Sequence, residues 1–216
     1  MTIQTILLKL LQGMMASMNI FFLTLLFSLP LGLLVSFGRM SKNKIISTIV
    51  TVYISIMRGT PLMLQLIVVY YGPHILFGVG IPREYNFWAT IIGFSINYAA
   101  YFGEIFRSGI QAVPVGQREA AKVLGYSRVQ TFVRIIFPQM VKRVLPPVTN
   151  EVITLVKDTS LAFVLGYTEM FTIAKQITAK EASLVALFIA GVFYYIFNFI
   201  VAWFMGMLEK KLSYFN

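Results

Sequence analysis

The chain has 216 residues and a formal net charge of +10; 58% of its residues are hydrophobic and 12% are charged, whereas soluble domains average about 45–50% apolar and about 25% charged residues. So many apolar side chains cannot all be buried in a domain of this size, because small domains have a large surface for their volume. A membrane protein is therefore expected, and the absence of cysteine together with a single histidine excludes a disulfide framework, thiolate catalysis and a typical zinc site.

Long uncharged stretches mark the membrane-spanning segments. Residues 10–38, 59–82, 85–103 and 182–208 contain no Asp, Glu, Lys or Arg, and a helix needs about 20 apolar residues to cross a bilayer. We predict five spanning helices, at about 10–38, 45–72, 86–109, 140–165 and 182–208. The predicted fold class is all-α: a polytopic membrane protein with one transmembrane domain over residues 1–216.

The second predicted span joins two apolar runs into one long helix but carries Arg58-Gly59-Thr60-Pro61 at its middle. Proline removes a backbone donor and bends helices, so we expect a kink that exposes carbonyl groups. Irregular backbone at membrane depth must face protein or water. Arg58 and Pro61 therefore belong either to a gate on a substrate path or to a packing kink from which Arg58 extends to the membrane surface.

The segment 110–138 is the one sizeable connection that is neither apolar nor a short turn, and such connections are often functional. Pro114 and Gly125 are typical of the start and the end of a helix, so we predict a short helix over about 114–124.

A second short helix is predicted to begin at Ser127, because Ser127 and Gln130 have the spacing of a capping box. Apolar residues then recur at helical spacing up to Ile136, and Pro138 is expected to end the helix. The two helices form either a rigid contact surface for another protein or an amphipathic pair that lies on the lipid headgroups.

Ionisable residues in the fourth span indicate a polar path. Glu151, Thr154 and Asp158 fall on one helix face, and an ionised side chain at the bilayer centre costs about 2.5–3.5 kcal/mol on insertion scales. The functional interpretation is that this face binds substrate, with Glu151 meeting a cationic group. The alternative is that Glu151 is neutral or bonded to a neighbouring helix.

Four further residues are weaker candidates. Asn97 in the third span and Met18 in the first could contact substrate, although methionine commonly serves packing. Lys157 and Ser160 suit a structural role near a gate or a helix end, where Lys157 and Asp158 would compensate each other's charge.

Several strings resemble one family of transport proteins. Glu119-Ala120-Ala121, Gly125, Ile135 and Phe137-Pro138 resemble the EAA signature of the membrane subunits of bacterial ABC importers, with Phe137 where leucine is commoner. Arg58-Gly59-Thr60-Pro61-Leu62, the stretch 100–110 and Lys157-Asp158-Thr159-Ser160-Leu161 are similar to the polar amino-acid branch, which serves histidine, glutamine and arginine.

The resemblance implies a type I importer permease in which 110–138 is a cytoplasmic two-helix coupling segment. Glu119, Ala120, Ala121 and Gly125 would then be the contact and hinge residues for a cytoplasmic ATPase dimer. The other implied partners are a second permease subunit, identical or different, and an extracytoplasmic solute-binding protein. The implied substrate is a polar amino acid, either basic or of the glutamine type.

No enzyme activity, cofactor or nucleic-acid partner is expected of the chain itself. It contains no GxxxxGK[ST] string with which to cradle phosphates, so ATP would bind to the partner subunits. An intramembrane enzyme is disfavoured because there is no HExxH motif, no cysteine, and a single histidine that lies outside the expected core. An ion-coupled carrier or channel subunit with Glu151 or Asp158 as the ion site is the alternative function, although no inverted repeat is evident.

The charge distribution predicts the orientation. Twelve of the 18 basic residues fall in 39–44, in 107–143 and in the tail, whereas Lys9, Arg83, Lys175 and Lys180 fall on the opposite side. The richer side is cytoplasmic by the positive-inside rule, which places the N-terminus outside and the C-terminus in the cytoplasm of a bacterial inner membrane.

Overall fold

The computed structural model describes residues 1–82 and 84–212, so Arg83 lies outside the described residues. The described ranges form nine α-helices, a π-helical segment at Phe132–Ile136 and a 3-10 helix at Thr159–Leu165. This confirms the all-α class. The α-helices are α1 Ile3–Arg39, α2 Lys44–Gly59, α3 Leu62–Phe77, α4 Tyr85–Gln111, α5 Val115–Val123, α6 Arg128–Thr131, α7 Phe137–Asp158, α8 Met170–Glu181 and α9 Val185–Leu212.

Length and hydropathy identify two clear membrane spans among the described residues. These are α1 and α9, and the pair α2 and α3 makes a third if the two are one broken span. The helices α4 and α7 have 27 and 22 residues, which is long enough to cross a bilayer, but they carry polar residues such as Asn97 and Glu151. The chain is therefore a multi-pass membrane protein, and the count of five spans stays a prediction.

The second predicted span is not one continuous helix. The helix α2 ends at Gly59, α3 begins at Leu62, and the two are bent by 114°. Thr60 is extended, with φ −122° and ψ 150°, because the ring of Pro61 excludes helical backbone from the residue before it. The helix is interrupted at the predicted position, but the 114° bend separates two helices and is larger than a kink within one helix.

The coupling segment follows the sequence pattern up to its end. The helix α5 confirms the first short helix, and Gly125 adopts the left-handed conformation with φ +76°. The capping box between Ser127 and Gln130 is formed. The prediction that Pro138 ends a helix is wrong: helical backbone runs without a break from Arg128 through the π-helical segment into α7, of which Pro138 is the second residue. In the π-helical segment the Phe137 N–H bonds to the Phe132 carbonyl five residues earlier, and this wider turn precedes the proline ring.

The fourth predicted span is shorter as an α-helix than expected. The helix α7 ends at Asp158, and the chain continues as the 3-10 helix to Gly166, whose φ is +67°. The helix α8, which follows, was not predicted. It has only 12 residues and includes Lys175 and Lys180, so it has neither the length nor the apolar run of a span.

Glycines allow the helices to pack closely. A Cβ atom on Gly32 of α1 would lie 2.6 Å from the Cβ of Phe102 on α4, and one on Gly103 would lie 2.5 Å from Cγ1 of Val35. A Cβ on Gly13 would lie 2.7 Å from the Cα of Met170 at the start of α8. The backbone of α1 is thus in near contact with α4 and α8, which encloses the core between these helices and α7.

The outer faces of the longest helices remain apolar. Leu8 and Leu34 of α1 are both 63% exposed, and Phe188 and Tyr195 of α9 are both 73% exposed. Exposed apolar surface along a whole helix indicates contact with lipid or with another subunit.

Candidate functional site

One of the two carboxylates of α7 bonds to a tyrosine of α4. The hydroxyl of Tyr98 donates a hydrogen bond of 2.7 Å to Oδ2 of Asp158, and Tyr98 is 2% exposed. Glu151 lies two turns before Asp158, is half-buried, and is within electrostatic reach of both Tyr98 and Arg58. Thr154 lies between the two carboxylates and donates to the carbonyl of Asn150 at 2.9 Å. Three of the predicted substrate residues therefore share one polar face.

Lys157 and Ser160, two of the candidate gate residues, lie at or just after the C-terminal end of α7. Lys157 is exposed, and among the described residues it forms no ion pair with Asp158, whose hydrogen-bond partner is Tyr98 instead. The hydroxyl of Ser160 donates to the carbonyl of Lys157 at 2.8 Å. Both side chains lie where α7 passes into the 3-10 helix.

The break between α2 and α3 is held by two amide side chains. Nε2 of Gln65 donates to the carbonyls of Met57 and Thr60 at 3.0 and 3.1 Å. Nδ2 of Asn97 donates to the same Met57 carbonyl at 3.1 Å and to Oε1 of Gln65 at 2.9 Å. The carbonyl groups freed by Pro61 are thus satisfied within the protein, and the Asn97 amide nitrogen is already used in holding the break.

Gln65 was not singled out from the sequence. Its position one turn after Pro61 was the available signal, since a long amide side chain there can reach the carbonyls that a broken helix leaves free.

Arg58, at the end of α2, lines a cavity between α4 and α7. Its guanidinium is 5.2 Å from the ring centre of Tyr101, which is within the range of a cation–π contact. The cavity has a volume of about 380 Å³, and its walls include Arg58, Glu104, Arg107 and Arg143. Pro61, three residues after Arg58, is exposed.

Glu104 is the acidic member of that cavity wall. Nη2 of Arg107 donates to Oε2 of Glu104 at 2.7 Å, and Nε of Arg39 is 3.6 Å from Oε1. Nη1 of Arg143 donates to the carbonyl of Ala112 at 2.6 Å, just beyond the end of α4. A charged network thus continues from the polar face of α4 towards the coupling segment.

Met18 is placed differently from the other candidates. It is partly buried and packs against the apolar core. Its neighbour Asn19 is exposed.

The coupling segment has an outward and an inward side. Glu119 and Ala120 are exposed, and Val123 is 88% exposed, whereas Ala121 is 1% exposed. Of the two small residues expected to admit another surface, Ala120 is therefore free to do so and Ala121 packs inward. The left-handed backbone at Gly125 then turns the chain from α5 into α6.

Glu169 is a buried carboxylate that the sequence interpretation missed. It is 0% exposed, and its oxygens accept hydrogen bonds from the backbone N–H groups of Phe171 and Thr172 at 2.7 Å. The hydroxyls of Thr172, Ser17 and Tyr194 bond to the same carboxylate at 2.9, 3.3 and 3.0 Å. Little in the sequence indicated this role, because α8 was not predicted and glutamate is not among the residues that N-cap positions prefer.

Comparison with known proteins assigns the family. Residues 28–214 match the family described as "Binding-protein-dependent transport system inner membrane component". The chain belongs to this family, whose members are translocation subunits and not enzymes.

Relatives and solved structures show that, within this family, the chain is similar to permeases of amino-acid transport systems. The nopaline transport system permease protein NocM of Agrobacterium fabrum is 36% identical over 95% of this chain and 88% of its own length. The arginine transport system permease protein ArtQ of Bacillus subtilis is 35% identical over 94% of this chain and 92% of its own length. A solved amino acid ABC transporter with histidines has a TM-score of 0.82 at 30% identity and covers 94% of both chains. The inferred resemblance to amino-acid permeases is confirmed.

Proposed function

We propose that this chain is the membrane subunit of an ATP-driven importer of polar amino acids. The observation that carries the proposal is the polar face of α7 that bears Glu151 and Asp158, with Asp158 hydrogen-bonded to Tyr98 of α4, in a chain that matches amino-acid permeases along almost its whole length. An amino acid always carries an ammonium group, and a basic amino acid carries a second cation. Two carboxylates on one membrane-embedded face suit such a substrate.

Within this proposal, Glu151 binds the cationic group of the substrate and Thr154 and Asp158 complete the site. Tyr98 fixes the direction of the Asp158 carboxylate. Asn97 acts through Gln65 by holding the break between α2 and α3, and Met18 supplies apolar surface at the edge of the path. Arg58 and Pro61 at the break, with Lys157 and Ser160 at the end of α7, form or support the gate.

The proposed assembly has five spans in each permease, with the N-terminus outside and the C-terminus in the cytoplasm. Residues 1–216 form one transmembrane domain, and 110–138 is its coupling segment. A second permease subunit, identical or different, completes the path, because two-fold pairing is the commonest way in which such a subunit assembles. A cytoplasmic ATPase dimer contacts Glu119 and Ala120, and an extracytoplasmic solute-binding protein delivers the amino acid.

The test is uptake by the assembled complex in proteoliposomes with Glu151→Gln in the permease. We expect uptake of arginine to fall by about tenfold or more, the loss of one charge-assisted contact, while uptake of glutamine changes less. The matched control is Glu84→Gln, which removes an exposed carboxylate at the start of α4. An equal loss for arginine and glutamine would show that Glu151 does not pair with the side-chain cation, which arginine carries and glutamine lacks.

The alternative, an ion-coupled carrier or channel subunit, predicts a different energy source. Uptake that continues without ATP and follows an imposed ion gradient would replace the importer proposal. Uptake that stops when ATP is removed from the ATPase side supports it.

A further inference from the structure

A groove of about 680 Å³ lies behind the coupling helix α5, between the ends of α1 and α4 and the segment that contains α6. Its floor and its rim differ in chemistry. The floor is apolar and is formed by Phe37, Met40, Ile110, Phe132 and Ile136, and the rim includes Arg118, Lys122, Tyr126 and Arg128.

The floor is continuous with the apolar surface of the chain. The rings of Phe37 and Phe132 meet edge to face with their centres 5.1 Å apart, which joins the end of α1 to the π-helical segment. Phe37 is 41% exposed and Val133, beside Phe132, is 55% exposed. The groove therefore opens onto the same kind of surface as the lipid-exposed side of α1.

The rim is positively charged and is not neutralised by the protein. Arg118, Lys122 and Arg128 are exposed, no acidic residue lines the groove, and within residues 1–82 and 84–212 none of the three forms an ion pair. Nη2 of Arg118 donates to the carbonyl of Ile110 at 2.8 Å. This bond directs Arg118 towards the end of α4, so the groove lies on the inward side of α5 and leaves Glu119 and Ala120 free.

We propose that this groove binds one anionic phospholipid of the cytoplasmic leaflet, with its phosphate at Arg118, Lys122 and Arg128 and the start of its acyl chains on the Phe37 and Phe132 floor. The inference rests on the orientation given under the proposed function. Basic pockets at the cytoplasmic ends of spanning helices attract anionic headgroups, and guanidinium groups bind phosphate in a bidentate manner. The bound lipid ties α5 to the end of α1, and so steadies the helix that the ATPase moves.

The experiment counts lipids bound to the purified complex. Native mass spectrometry, after titration with phosphatidylglycerol in a phosphatidylcholine background, is applied to the variant Arg118→Gln/Lys122→Gln/Arg128→Gln. The matched control Lys42→Gln/Lys44→Gln/Arg134→Gln removes three exposed charges on the same predicted membrane side, none of which lines the groove. We expect at least about a tenfold loss of phosphatidylglycerol affinity in the first variant and less than about twofold in the control.

Two further experiments test why phosphatidylglycerol binding changes in the triple variant. If the triple variant does not assemble, Lys122→Gln/Arg128→Gln keeps the Arg118 contact with Ile110, and it is expected to show the same direction of change. Glycerol 3-phosphate, which has the headgroup chemistry without acyl chains, is expected not to displace the lipid; displacement at millimolar concentration would make the groove a site for free phosphate esters and would overturn the proposal.

Equal lipid counts in the groove variant and the control would overturn the proposal, and so would loss of the ATPase subunit with the lipid count unchanged, which would place the groove in the subunit interface. Lipid counting involves no transport. A failure of this inference is therefore distinguishable from a failure of the uptake test for the proposed function.

Discussion

Glu169 joins three helices through one carboxylate. It caps the start of α8 through two backbone N–H groups, bonds to Ser17 on α1 and bonds to Tyr194 on α9. The sequence shows an isolated acid between two predicted spans and does not show these partners, because Ser17 lies 152 residues away along the chain. Long-range contacts of this kind decide whether a buried charge is tolerated.

Replacing Glu169 is therefore expected to loosen the region where α1, α8 and α9 meet. Glu169→Ala leaves the N–H groups of Phe171 and Thr172 and the hydroxyl of Tyr194 without this acceptor, whereas the hydroxyls of Ser17 and Thr172 keep the carbonyls of Gly13 and Tyr167. We expect a cost of roughly 3 kcal/mol or more, because each buried donor without a partner costs about 1–3 kcal/mol. The thermal midpoint of the purified protein in detergent measures the effect. Tyr194→Phe removes one of these hydrogen bonds and should lower the midpoint much less; equal effects of the two variants would contradict the account of a shared carboxylate.

At the scale of single elements, the contact of α1 with α4 depends on the absence of side chains. Gly103→Ala places a Cβ atom 2.5 Å from Cγ1 of Val35, and overpacking of this kind costs roughly 1–3 kcal/mol. We expect a lower thermal midpoint and reduced recovery of the assembled complex. Gly191→Ala on α9, where nothing lies within 4 Å of the added atom, is the control and should leave the midpoint the same or raise it slightly, because alanine favours a helix interior more than glycine.

The turn after α5 depends on left-handed backbone at Gly125. A β-branched residue is strained there by about 1–2 kcal/mol, so Gly125→Val should shift the chain between α5 and α6 and reduce retention of the ATPase during affinity purification. Gly78→Val introduces the same strain at φ +63°, after α3, on the predicted outer side. If both variants lose the ATPase equally, general destabilisation and not the coupling turn is the cause.

The sequence predicted those elements whose formation depends on residues close together along the chain. Uncharged runs indicated α1, α4 and α9, and the capping box at Ser127 and the left-handed Gly125 follow from side chains within a few residues. The 114° bend could be located from Pro61 but not measured, because its direction depends on Gln65 and on Asn97 of another helix. In the same way, the spacing of Glu151 and Asp158 predicted a shared face but could not show that Tyr98 would bind one of them.

At the scale of the whole molecule, orientation is the prediction that most other proposals depend on. The chain contains no cysteine, so single cysteines can be introduced without further change. Val79→Cys, 53% exposed after α3, should react in intact cells with a maleimide that cannot cross membranes, whereas Val123→Cys, 88% exposed on α5, should react only after permeabilisation. The reverse pattern of labelling would invert the topology.

The length of α1 sets a requirement on its surroundings. At about 1.5 Å per residue, its 37 residues extend about 55 Å, well beyond the hydrocarbon thickness of about 30 Å. Since α1 is fixed along α4 and at α8, the surplus must be absorbed by leaning or by projecting into the headgroup layers. Acyl-chain length should thus act as a mechanical variable for this subunit: a thinner bilayer forces a steeper inclination, which α4 and α8 must share.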